Sequence, residues 1–565
     1  MSNQILRILR YPLLILLTIN LMVGFFTFQN YGLSWDEPLF YNYADSIWKA
    51  YTPQAFTPGF NFDSVYGRSP EDHKIYGPAY LLLARPVQRI WMTLLGVDMA
   101  SAWHLVNFLT FQIGLVGFYR LARRWFDPWP ATLATAFLAW QPVFWGHAFI
   151  NPKDMPFMVF FLWAMTLGLE MVDTITVPNT TKRQKTVKTL LAALLLGLTS
   201  AIRVIGPLAG ALVAAYFLLK QLAKTQKTAH SAGNSDRQNF PKKSALIHIQ
   251  SKAWPGFLAY TLLAIFIMYV FWPYLWADPL NRLLAVFKHM SDNPTELAVL
   301  FLGQIFRAND MPRRYLPTML ALTLTEPTWI LFTAGIALAM RQIIQKTIDF
   351  CAPFVVLTLF GFMLAYLLYF TPAMYDGFRH FLFILPPVFI FCGFAFQQLW
   401  NMPRAWLNSP LPGLRLPGPI RSLWHNIPGL AAGLLLLPGL VGIAQMHPYE
   451  YAYYNRFAGG VKGAYRVYET DYWLTCFKEA VEWVKYNEPE TTLHIQREFP
   501  IAAYYANGLN IKDLSREPET DIQTGDLMLF HTRANLDIRS IYRKLPVVTR
   551  FGRDGAEFCL IKRKE

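Results

Sequence analysis

The sequence predicts an α-helical polytopic membrane protein with about eleven transmembrane helices and a small C-terminal α/β domain. Of its 565 residues, 54% are hydrophobic and only 15% are charged, whereas soluble domains carry about a quarter charged residues. Several long apolar runs each supply one crossing, or two short ones, at roughly 20 residues apiece. They are Tyr11–Phe28, Leu190–Leu219, Phe257–Leu275, Phe350–Phe370 and Phe381–Leu399.

The composition changes after residue 446, which divides the chain into a membrane domain, 1–446, and a tail domain, 447–565. The tail has helical patterns near 474–486 and 535–543, and strand-like runs at 491–495, 526–531, 547–551 and 556–561. It contains no glycine-rich phosphate loop and no nucleophile elbow. We therefore expect a small α/β domain outside the cytoplasm that acts as a lid or packing domain.

The net charge of +15 is interpreted as a topology signal, so no nucleic-acid partner is expected. The basic residues cluster in short loops between apolar runs, at 182–188, 224–252, 341–346 and 404–421. The positive-inside rule places such loops in the cytoplasm. With an uncleaved N-terminal anchor, the predicted spans are 8–28, 101–122, 129–146, 156–174, 189–203, 205–220, 256–276, 326–342, 350–370, 381–399 and 427–445.

One apolar segment, Tyr80–Gly96, is predicted not to cross the membrane. It contains Arg85, Pro86 and Arg89, and a crossing here would invert the later basic loops. A helix in the outer interface, with its arginines turned to water, avoids the conflict. The outer face then carries residues 29–100, 146–155, 277–325 and 447–565.

Two adjacent carboxylates, Asp36 and Glu37, follow the first predicted span. Aromatic neighbours fit an interfacial helix above a membrane cavity, where Asp36 can take a proton from an acceptor hydroxyl and Glu37 can orient it or bind a cation. The like charge of Glu37 should raise one of the two pKa values toward the working pH. The alternative is that both residues only begin a helix and complement its positive end.

A tight polar loop between two apolar spans holds His147, Asn151, Lys153 and Asp154. Prolines explain the turn, but four polar side chains exceed what a turn needs. We predict that His147 and Asn151 contact the sugar or acceptor and that Asp154 is a second catalytic carboxylate. Because Asp154 also opens the next helix, an N-cap is the alternative.

Isolated cations lie near the predicted outer surface: Arg203 between the fifth and sixth spans, and Arg379 beside His380 before the tenth. A charge at membrane depth is costly and usually marks a functional or paired site. A guanidinium there can hold a phosphate or diphosphate through charge-assisted hydrogen bonds. The alternatives are snorkelling to the interface and pairing with a carboxylate such as Asp376.

Aromatic and carboxylate residues are dense at the start of the tail, around His447 and Tyr449 and again at 469–473. This mixture suits stacking on sugar rings and hydrogen bonding to hydroxyls. We predict that His447 and Tyr449 contact the sugar or acceptor. A turn that packs the tail onto the membrane domain explains the pattern equally well.

These residues together resemble the GT-C class of membrane glycosyltransferases, particularly bacterial members related to protein O-mannosyltransferases and lipid A aminoarabinose transferases (family 39-like). In that class an Asp, often followed by Glu, lies in the first outer loop, as Asp36-Glu37 do here. A His/Tyr-x-Pro element begins the interfacial segment, as Tyr76-Gly77-Pro78 does. A second acidic residue opens the fourth span, as Asp154 does, although the protein mannosyltransferases have hydrophobic residues before it.

The resemblance implies an inverting transfer of a sugar from a polyprenyl-phosphate donor to an acceptor hydroxyl of a protein or glycolipid. Asp36 would be the base, and Glu37 and Asp154 would orient the substrates. Arg203 or Lys153, with Arg379 and His380, would hold the phosphate, and Tyr76 would contact the sugar or acceptor.

The resemblance also implies a multi-pass protein of the bacterial inner membrane, among membrane lipids, with its active site on the periplasmic face. Metal dependence varies within the class, which leaves a divalent metal open as a cofactor, and no motif forms a complete metal shell. The alternatives are a lipid-linked glycan ligase of the same class and a non-enzymatic lipid or sugar transporter. The sequence shows no internal repeat of the kind that many transporters have.

Overall fold

The computed structural model describes residues 11–231, 253–291, 295–407, 418–516 and 522–565, and α-helices dominate its membrane part. Proline stands in the first turn of several of them, where its missing N–H costs no intrahelical bond. The helices are α1 Pro12–Thr27, α2 Glu37–Ser46, α3 Pro70–His73, α4 Ala79–Leu95, α5 Met99–Ala122, α6 Pro128–Ala139, α7 Pro142–Ile150, α8 Asp154–Thr176, α9 Lys182–Ser200, α10 Pro207–Ser231, α11 Trp254–Phe271, α12 Pro279–Ser291, α13 Tyr315–Thr323, α14 Pro327–Ile344, α15 Cys351–Phe370, α16 Pro386–Leu407 and α17 Gly418–Met446.

Helices occupy the described part of every segment that was predicted to cross the membrane. Within the described residues, six helices are at least 18 residues long and apolar enough to cross a membrane: α5, α8, α11, α14, α15 and the 427–446 part of α17. Apolar but shorter are α1 and the 207–223 part of α10. The count of eleven crossings therefore stays a prediction.

The third predicted span, 129–146, was wrong as a single helix. The structure divides it into α6 and α7, with a break at Trp140 and Gln141. Pro142 begins α7, and a proline cannot donate the backbone hydrogen bond that would continue α6. As a result, α7 runs on to Ile150 and carries His147 on a helix instead of in a loop.

The four segments predicted to lie outside the membrane contact one another at one end of the helical bundle. The first loop reaches both the loop after α7 and the tail, and the loop after α12 also reaches the tail. The hydrogen bonds that join them are Ser34 Oγ to Ile150 O (3.0 Å), Leu33 N to Tyr505 Oη (2.8 Å) and Leu300 N to Glu469 Oε1 (2.7 Å).

Ion pairs between helices mark the opposite end of the bundle, where the basic loops were predicted. The second and fourth of those loops, 224–252 and 404–421, lie largely outside the residues that the structure describes. The pairs that are described are Arg120 with Glu170 (2.6 Å), Arg124 with Asp173 (2.5 Å) and Lys220 with Asp349 (2.6 Å).

Helix α4 carries an apolar stripe that faces away from the protein. Leu83, Val87, Ile90 and Leu94 are all exposed, and their spacing of three and four residues places them on one side. On another side, Arg85 Nε donates to Asp45 Oδ1 of α2 at 2.6 Å. An apolar stripe beside paired arginines is typical of a helix that lies in a membrane interface.

The described part of the tail forms one mixed sheet of five strands, β3 Leu493–Ile495, β4 Ile511–Asp513, β5 Leu527–His531, β6 Val547–Arg553 and β7 Ala556–Arg563. Their order in the sheet is β4-β3-β5-β7-β6. Strands β4, β3 and β5 are parallel, and β7 is antiparallel to both β5 and β6. One face joins the large core of the membrane domain, and the other packs a small cluster around Met528 and Phe530.

The part of the tail that the structure describes also contains four short α-helices: α18 Gly460–Ala464, α19 Phe477–Asn487, α20 Phe499–Tyr505 and α21 Leu536–Arg539. The sequence pattern predicts α19, α21 and four of the strands, but not α20 or β4. It also does not predict the hairpin of β1, Ala298–Phe301, and β2, Gln304–Arg307, in the loop after α12. The domain boundary at 446 and 447 stays a prediction.

Candidate active site

Asp36 lies at the turn between α1 and α2 and holds two cations through a single oxygen. Its Oδ2 accepts from Arg379 Nη1 at 2.9 Å and lies 3.0 Å from Lys153 Nζ. Its Oδ1 has no hydrogen bond or ion pair with any residue that the structure describes. Because the side chain is 15% exposed, Asp36 is an accessible carboxylate with one oxygen free.

The loop between α7 and α8 presents Lys153 and Asp154 to this carboxylate. Asn151 Oδ1 accepts hydrogen bonds from the backbone N–H groups of Lys153 (3.2 Å) and Asp154 (2.8 Å), which fixes the turn. The Asp154 carboxylate forms an ion pair with Arg203 and lies 3.4 Å from Arg379 Nη1. It is therefore directed at cationic side chains and not at the free N–H groups of its own helix.

Arg379 follows α15 and is almost fully buried, with 1% of its side chain exposed. Besides Asp36 and Asp154, it contacts Asp376, whose Oδ2 lies 3.1 Å from its Nε. The ring of Trp473 lies 5.0 Å from the guanidinium carbon. The pairing with Asp376 that the sequence left open is thus present, but it is only one of three ion pairs. We name Asp36, Lys153, Asp154, Arg203 and Arg379 the charged cluster.

Arg203 lies in the turn between α9 and α10, and Tyr76 covers it. The Tyr76 ring is 5.8 Å from the Arg203 guanidinium and 5.3 Å from Lys153 Nζ. Gly77 makes this approach possible, because its N–H donates to Ile202 O at 3.2 Å. A side chain on Gly77 would collide with Ala201 O. Arg203 Nε is buried and makes no hydrogen bond with the described residues.

A cavity of about 340 Å³ opens beside Arg203. Its polar end is formed by Tyr76, Arg203, Tyr375 and His380. Its other walls are apolar and come from α10, α12 and α15, with Leu208, Phe287, Met290, Phe362, Met363 and Leu367 among the lining residues. A molecule with an anionic head group and a hydrocarbon chain would fit this cavity, with the head group at the polar end and the chain along the apolar walls.

The charged cluster carries an excess of positive charge. Its five members are three cations and two carboxylates. Asp376, which pairs with Arg379, and Arg533, which pairs with Asp376, extend the count to four cations and three carboxylates. Burial raises the pKa of Asp36, but Lys153 and Arg379 outweigh burial and lower that pKa to about 2. The rise that was expected for one of the two adjacent carboxylates is therefore not seen at Asp36, because the neighbouring cations dominate.

Glu37 points away from the charged cluster into the protein. Its Oε2 accepts from Ser34 N at 2.6 Å, and its Oε1 accepts from Tyr41 Oη and lies 3.0 Å from His104 Nε2. The side chain is fully buried. The structure therefore places Glu37 in a network that fixes the turn before α2, where it does not touch Asp36.

The other predicted contact residues divide into two groups. His147 lies behind the cluster, with Nδ1 3.2 Å from Asn151 Nδ2 and Nε2 3.0 Å from Tyr472 Oη. His447 and Tyr449 make no contact with the charged cluster among the described residues. His447 contacts Asn30 and Glu450, both at 2.8 Å. The positions of His447 and Tyr449 therefore favour the interpretation that the start of the tail packs onto the membrane domain.

Sequence reasoning missed Arg533 and the central role of Asp376. Arg533 is the second residue after β5 in the tail, and its Nη1 lies 2.7 Å from Asp376 Oδ1. Arg533 lies between the predicted strand 526–531 and the helical pattern 535–543 and belongs to no motif, so nothing local indicates a functional position. Asp376 could be found as an acidic residue between α15 and α16, three positions before Arg379.

A divalent metal does not fit the donor set of the cluster. Among the described residues, no group of three or more His, Cys, Asp or Glu side chains is arranged to hold a metal ion. Asp36 and Asp154 are the nearest candidates, and each already contacts two cationic side chains. No step below uses a metal.

Comparison with known proteins gives the fold a context. No protein-family model and no curated protein sequence matches the chain. Among solved structures, it is similar to the archaeal oligosaccharyltransferase AglB from Archaeoglobus fulgidus in complex with an inhibitory peptide and a dolichol-phosphate. That match covers 94% of this chain and 70% of the other, at a TM-score of 0.50 and 12% identity.

Two further structures are similar. The apo form of the Archaeoglobus fulgidus oligosaccharyltransferase matches over 94% of this chain and 71% of its own, with a TM-score of 0.53 and 12% identity. ArnT from Cupriavidus metallidurans, in the apo state, matches over 97% of both chains, with a TM-score of 0.43 and 13% identity. The resemblance stated from the sequence is confirmed for the fold, and the chain has the fold of the GT-C membrane glycosyltransferases.

Proposed function

We propose that the protein is an inverting glycosyltransferase that moves a sugar from a polyprenyl-phosphate carrier to an acceptor hydroxyl. One observation carries the proposal: Asp36, a carboxylate with a free oxygen, holds Lys153 and Arg379 and belongs to the same charged cluster as Arg203, which lies at the polar end of an apolar cavity. The GT-C fold supports it, since AglB with this fold was solved with a dolichol-phosphate.

The donor phosphate is proposed to bind at Arg203, with Tyr76 and His380 beside it. The free Nε of Arg203 supplies a buried donor, and a guanidinium suits bidentate contact with phosphate oxygens. The excess positive charge of the cluster favours an anion there. The prenyl chain would lie along the apolar walls from α12 and α15, so the carrier need not leave the lipid.

The chemistry is a single displacement. The acceptor oxygen attacks the anomeric carbon from the side opposite the phosphate, while its proton passes to Asp36 Oδ1. The bond from the anomeric carbon to the phosphate oxygen breaks, and the electron pair leaves with the polyprenyl phosphate. Arg203 and Lys153 stabilise the charge that develops on that phosphate.

The low pKa of Asp36 is compatible with this role. Lys153 and Arg379 hold the carboxylate ionised, which keeps it ready to accept a proton but makes it a weak base. A phosphate that binds the same cations weakens their field at Asp36 and raises its basicity. Donor binding would thus strengthen the base when the base is needed.

The proposed setting is the periplasmic face of a bacterial inner membrane, with a protein or a glycolipid as acceptor. Asp154 is assigned to orientation, because it fixes Arg203 and Arg379 in the cluster. Asn151 supports the loop that carries it. Glu37 is assigned to the scaffold below Asp36 and not to the displacement.

The test begins with mass spectrometry of surface glycans from a deletion strain and its complemented parent. Loss of one sugar residue from a glycolipid or protein identifies donor sugar and acceptor. Purified full-length protein in liposomes should then transfer that sugar from a synthetic polyprenyl-phosphate donor, and Asp36→Asn should not. Loss of a whole glycan polymer would indicate the ligase, and carrier movement without turnover would indicate a transporter.

A further inference from the structure

A buried chain of alternating charges joins the tail domain to Asp36. Arg533 Nη1 lies 2.7 Å from Asp376 Oδ1, and Asp376 Oδ2 lies 3.1 Å from Arg379 Nε. Arg379 then donates to Asp36 at 2.9 Å. The side chains of Arg533, Asp376 and Arg379 are at most 1% exposed, so water does not screen these contacts.

Arg533 is itself held in place by three separate parts of the molecule. Its Nη1 donates to Tyr472 O at 2.6 Å, and its guanidinium lies 4.6 Å from the ring of Trp35, next to Asp36. Glu469 Oε1 accepts from Ala534 N at 3.2 Å and from Leu300 N at 2.7 Å. The position of Arg533 is therefore fixed from the tail, from the first loop and from the β1 hairpin.

We propose that Arg533 is a positioning residue through which the tail domain completes the active site. It holds one oxygen of Asp376, so that the other oxygen fixes Arg379 between Asp36 and Asp154. This inference rests on the proposed function and extends it, because the tail is then more than a lid or a packing domain.

The physical reason is competition for Arg379. In the native arrangement Asp376 shares its charge between two guanidinium groups. Without Arg533, Asp376 is a buried carboxylate with one remaining cation, and such a group attracts that cation strongly. Arg379 then moves toward Asp376 and away from Asp36, whose other charged neighbours are Lys153 and Asp154.

The test compares Arg533→Met with Asp376→Asn, with their double variant and with the control Arg466→Met. Arg466 makes a bidentate pair with the buried Asp537 inside the tail, at 2.7 and 2.6 Å, and does not contact Asp376. It therefore reports the loss of a buried tail ion pair that is not connected to the site. All variants are full-length protein in lipid nanodiscs, and their melting temperatures are recorded.

Two measurements are made on each variant. The first is the affinity for undecaprenyl phosphate by native mass spectrometry. The second needs no ligand: a hydrophobic carbodiimide labels protonated Asp36, and peptide mass spectrometry follows the labelling against pH. Arg533→Met should weaken the affinity about 10-fold, the size of one charge-assisted hydrogen bond, and move the labelling profile to higher pH. The double variant should lack these shifts and match Asp376→Asn, because without the Asp376 charge nothing draws Arg379 away from Asp36.

Unchanged affinity and labelling in a folded Arg533→Met protein would overturn the inference. So would equal shifts in Arg466→Met, or additive effects in the double variant. If the wild-type protein does not bind undecaprenyl phosphate but the Asp36 profile still moves in Arg533→Met alone, the proposed function fails and the positioning role stands. If the wild type binds and Arg533→Met moves neither measurement, the positioning role fails alone.

Discussion

Arg379 contacts Asp36 through one carboxylate oxygen only: its Nη1 lies 2.9 Å from Oδ2, while Oδ1 has no partner among the described residues. The two oxygens can therefore do different things. Oδ2 keeps the carboxylate in place and ionised, and Oδ1 is left to receive a proton. This separation makes the role of Asp36 testable by a substitution that preserves one function and removes the other.

Asp36→Asn should lower single-turnover sugar transfer about 10²–10⁴-fold, the usual cost of losing a general base. Polyprenyl-phosphate affinity should not fall, because the site loses a negative charge. Transfer and binding are measured on the same purified protein in lipid. Transfer at near the wild-type rate would show that Asp36 only begins a helix, and Asp154 would become the candidate base.

Glu37→Gln is the matched control for that substitution. Because Glu37 bonds Ser34 and Tyr41 inside the protein, its loss should appear mainly in the melting temperature. A drop in transfer as large as that of Asp36→Asn, in a protein of normal stability, would contradict the scaffold role.

Arg203→Lys keeps the positive charge opposite Asp154 but loses the planar guanidinium that can contact two phosphate oxygens at once. Donor affinity should fall by about 1–3 kcal/mol, while folding survives. Arg124→Lys, which alters the ion pair with Asp173 at the other end of the bundle, is the control and should not change donor affinity. Unaltered donor affinity in a folded Arg203→Lys protein would limit Arg203 to its pair with Asp154.

Gly77→Ala should disturb the site without touching a charge. An added Cβ would lie 1.9 Å from Ala201 O, so the start of α4 must move away and take Tyr76 with it. We expect weaker polyprenyl-phosphate binding and a lower melting temperature. Gly361→Ala in α15, where a Cβ meets no atom within 4 Å, should change neither. Normal binding in Gly77→Ala would remove Tyr76 from the donor site.

Glu469 gives the tail a pH-dependent stability. Burial raises its pKa to about 7, although Arg533 and backbone N–H groups act against burial. Between the unfolded value of 4.5 and about 7, the unfolded chain releases the proton while the folded chain keeps it. Stability should therefore fall by up to about 3 kcal/mol as the pH rises through this window, and then level off.

Thermal unfolding between about pH 4 and about pH 8, a range that brackets this window, checks the prediction. The melting temperature should decrease with rising pH in the wild type and decrease less in Glu469→Gln. If the melting temperature changed equally with pH in both proteins, another group, such as Asp471, would be the cause of the pH dependence.

The tail and the basic loops should label from opposite sides of the membrane. Tyr486 in α19 is 87% exposed, and Gln345 after α14 is exposed at the other end of the bundle. All four native cysteines are buried, so the background is low. An impermeant maleimide should label Tyr486→Cys in intact cells and Gln345→Cys only after permeabilisation. The reverse pattern would overturn the predicted orientation.

Sequence patterns predict all five members of the charged cluster as site residues because each of them stands near the end of an apolar run. Lys153, Asp154, Arg203 and Arg379 are all polar residues at the edge of a helix, and a charge there is unusual enough to be noticed. What the sequence cannot give is their pairing, since Asp36 and Arg379 are brought together only by the packing of the helices.

The second property that the sequence does not predict is the direction in which a side chain points. Asp36 and Glu37 are adjacent in the sequence, but neighbouring positions on a helix do not face the same way. The Asp36 carboxylate therefore joins the charged cluster, whereas the Glu37 carboxylate lies in the interior, and no pattern of residue types distinguishes the two. Arg533 was beyond sequence reasoning for a different reason: its partner Asp376 belongs to the other predicted domain.

The apolar walls of the cavity come partly from α15, one of the helices long enough to cross a membrane. A substrate that enters along such a wall arrives by lateral diffusion in the plane of the bilayer. Its effective concentration is then a surface density, counted in carrier molecules per lipid, and not a molarity. Adding inert lipid dilutes this substrate even when the volume of the sample is unchanged.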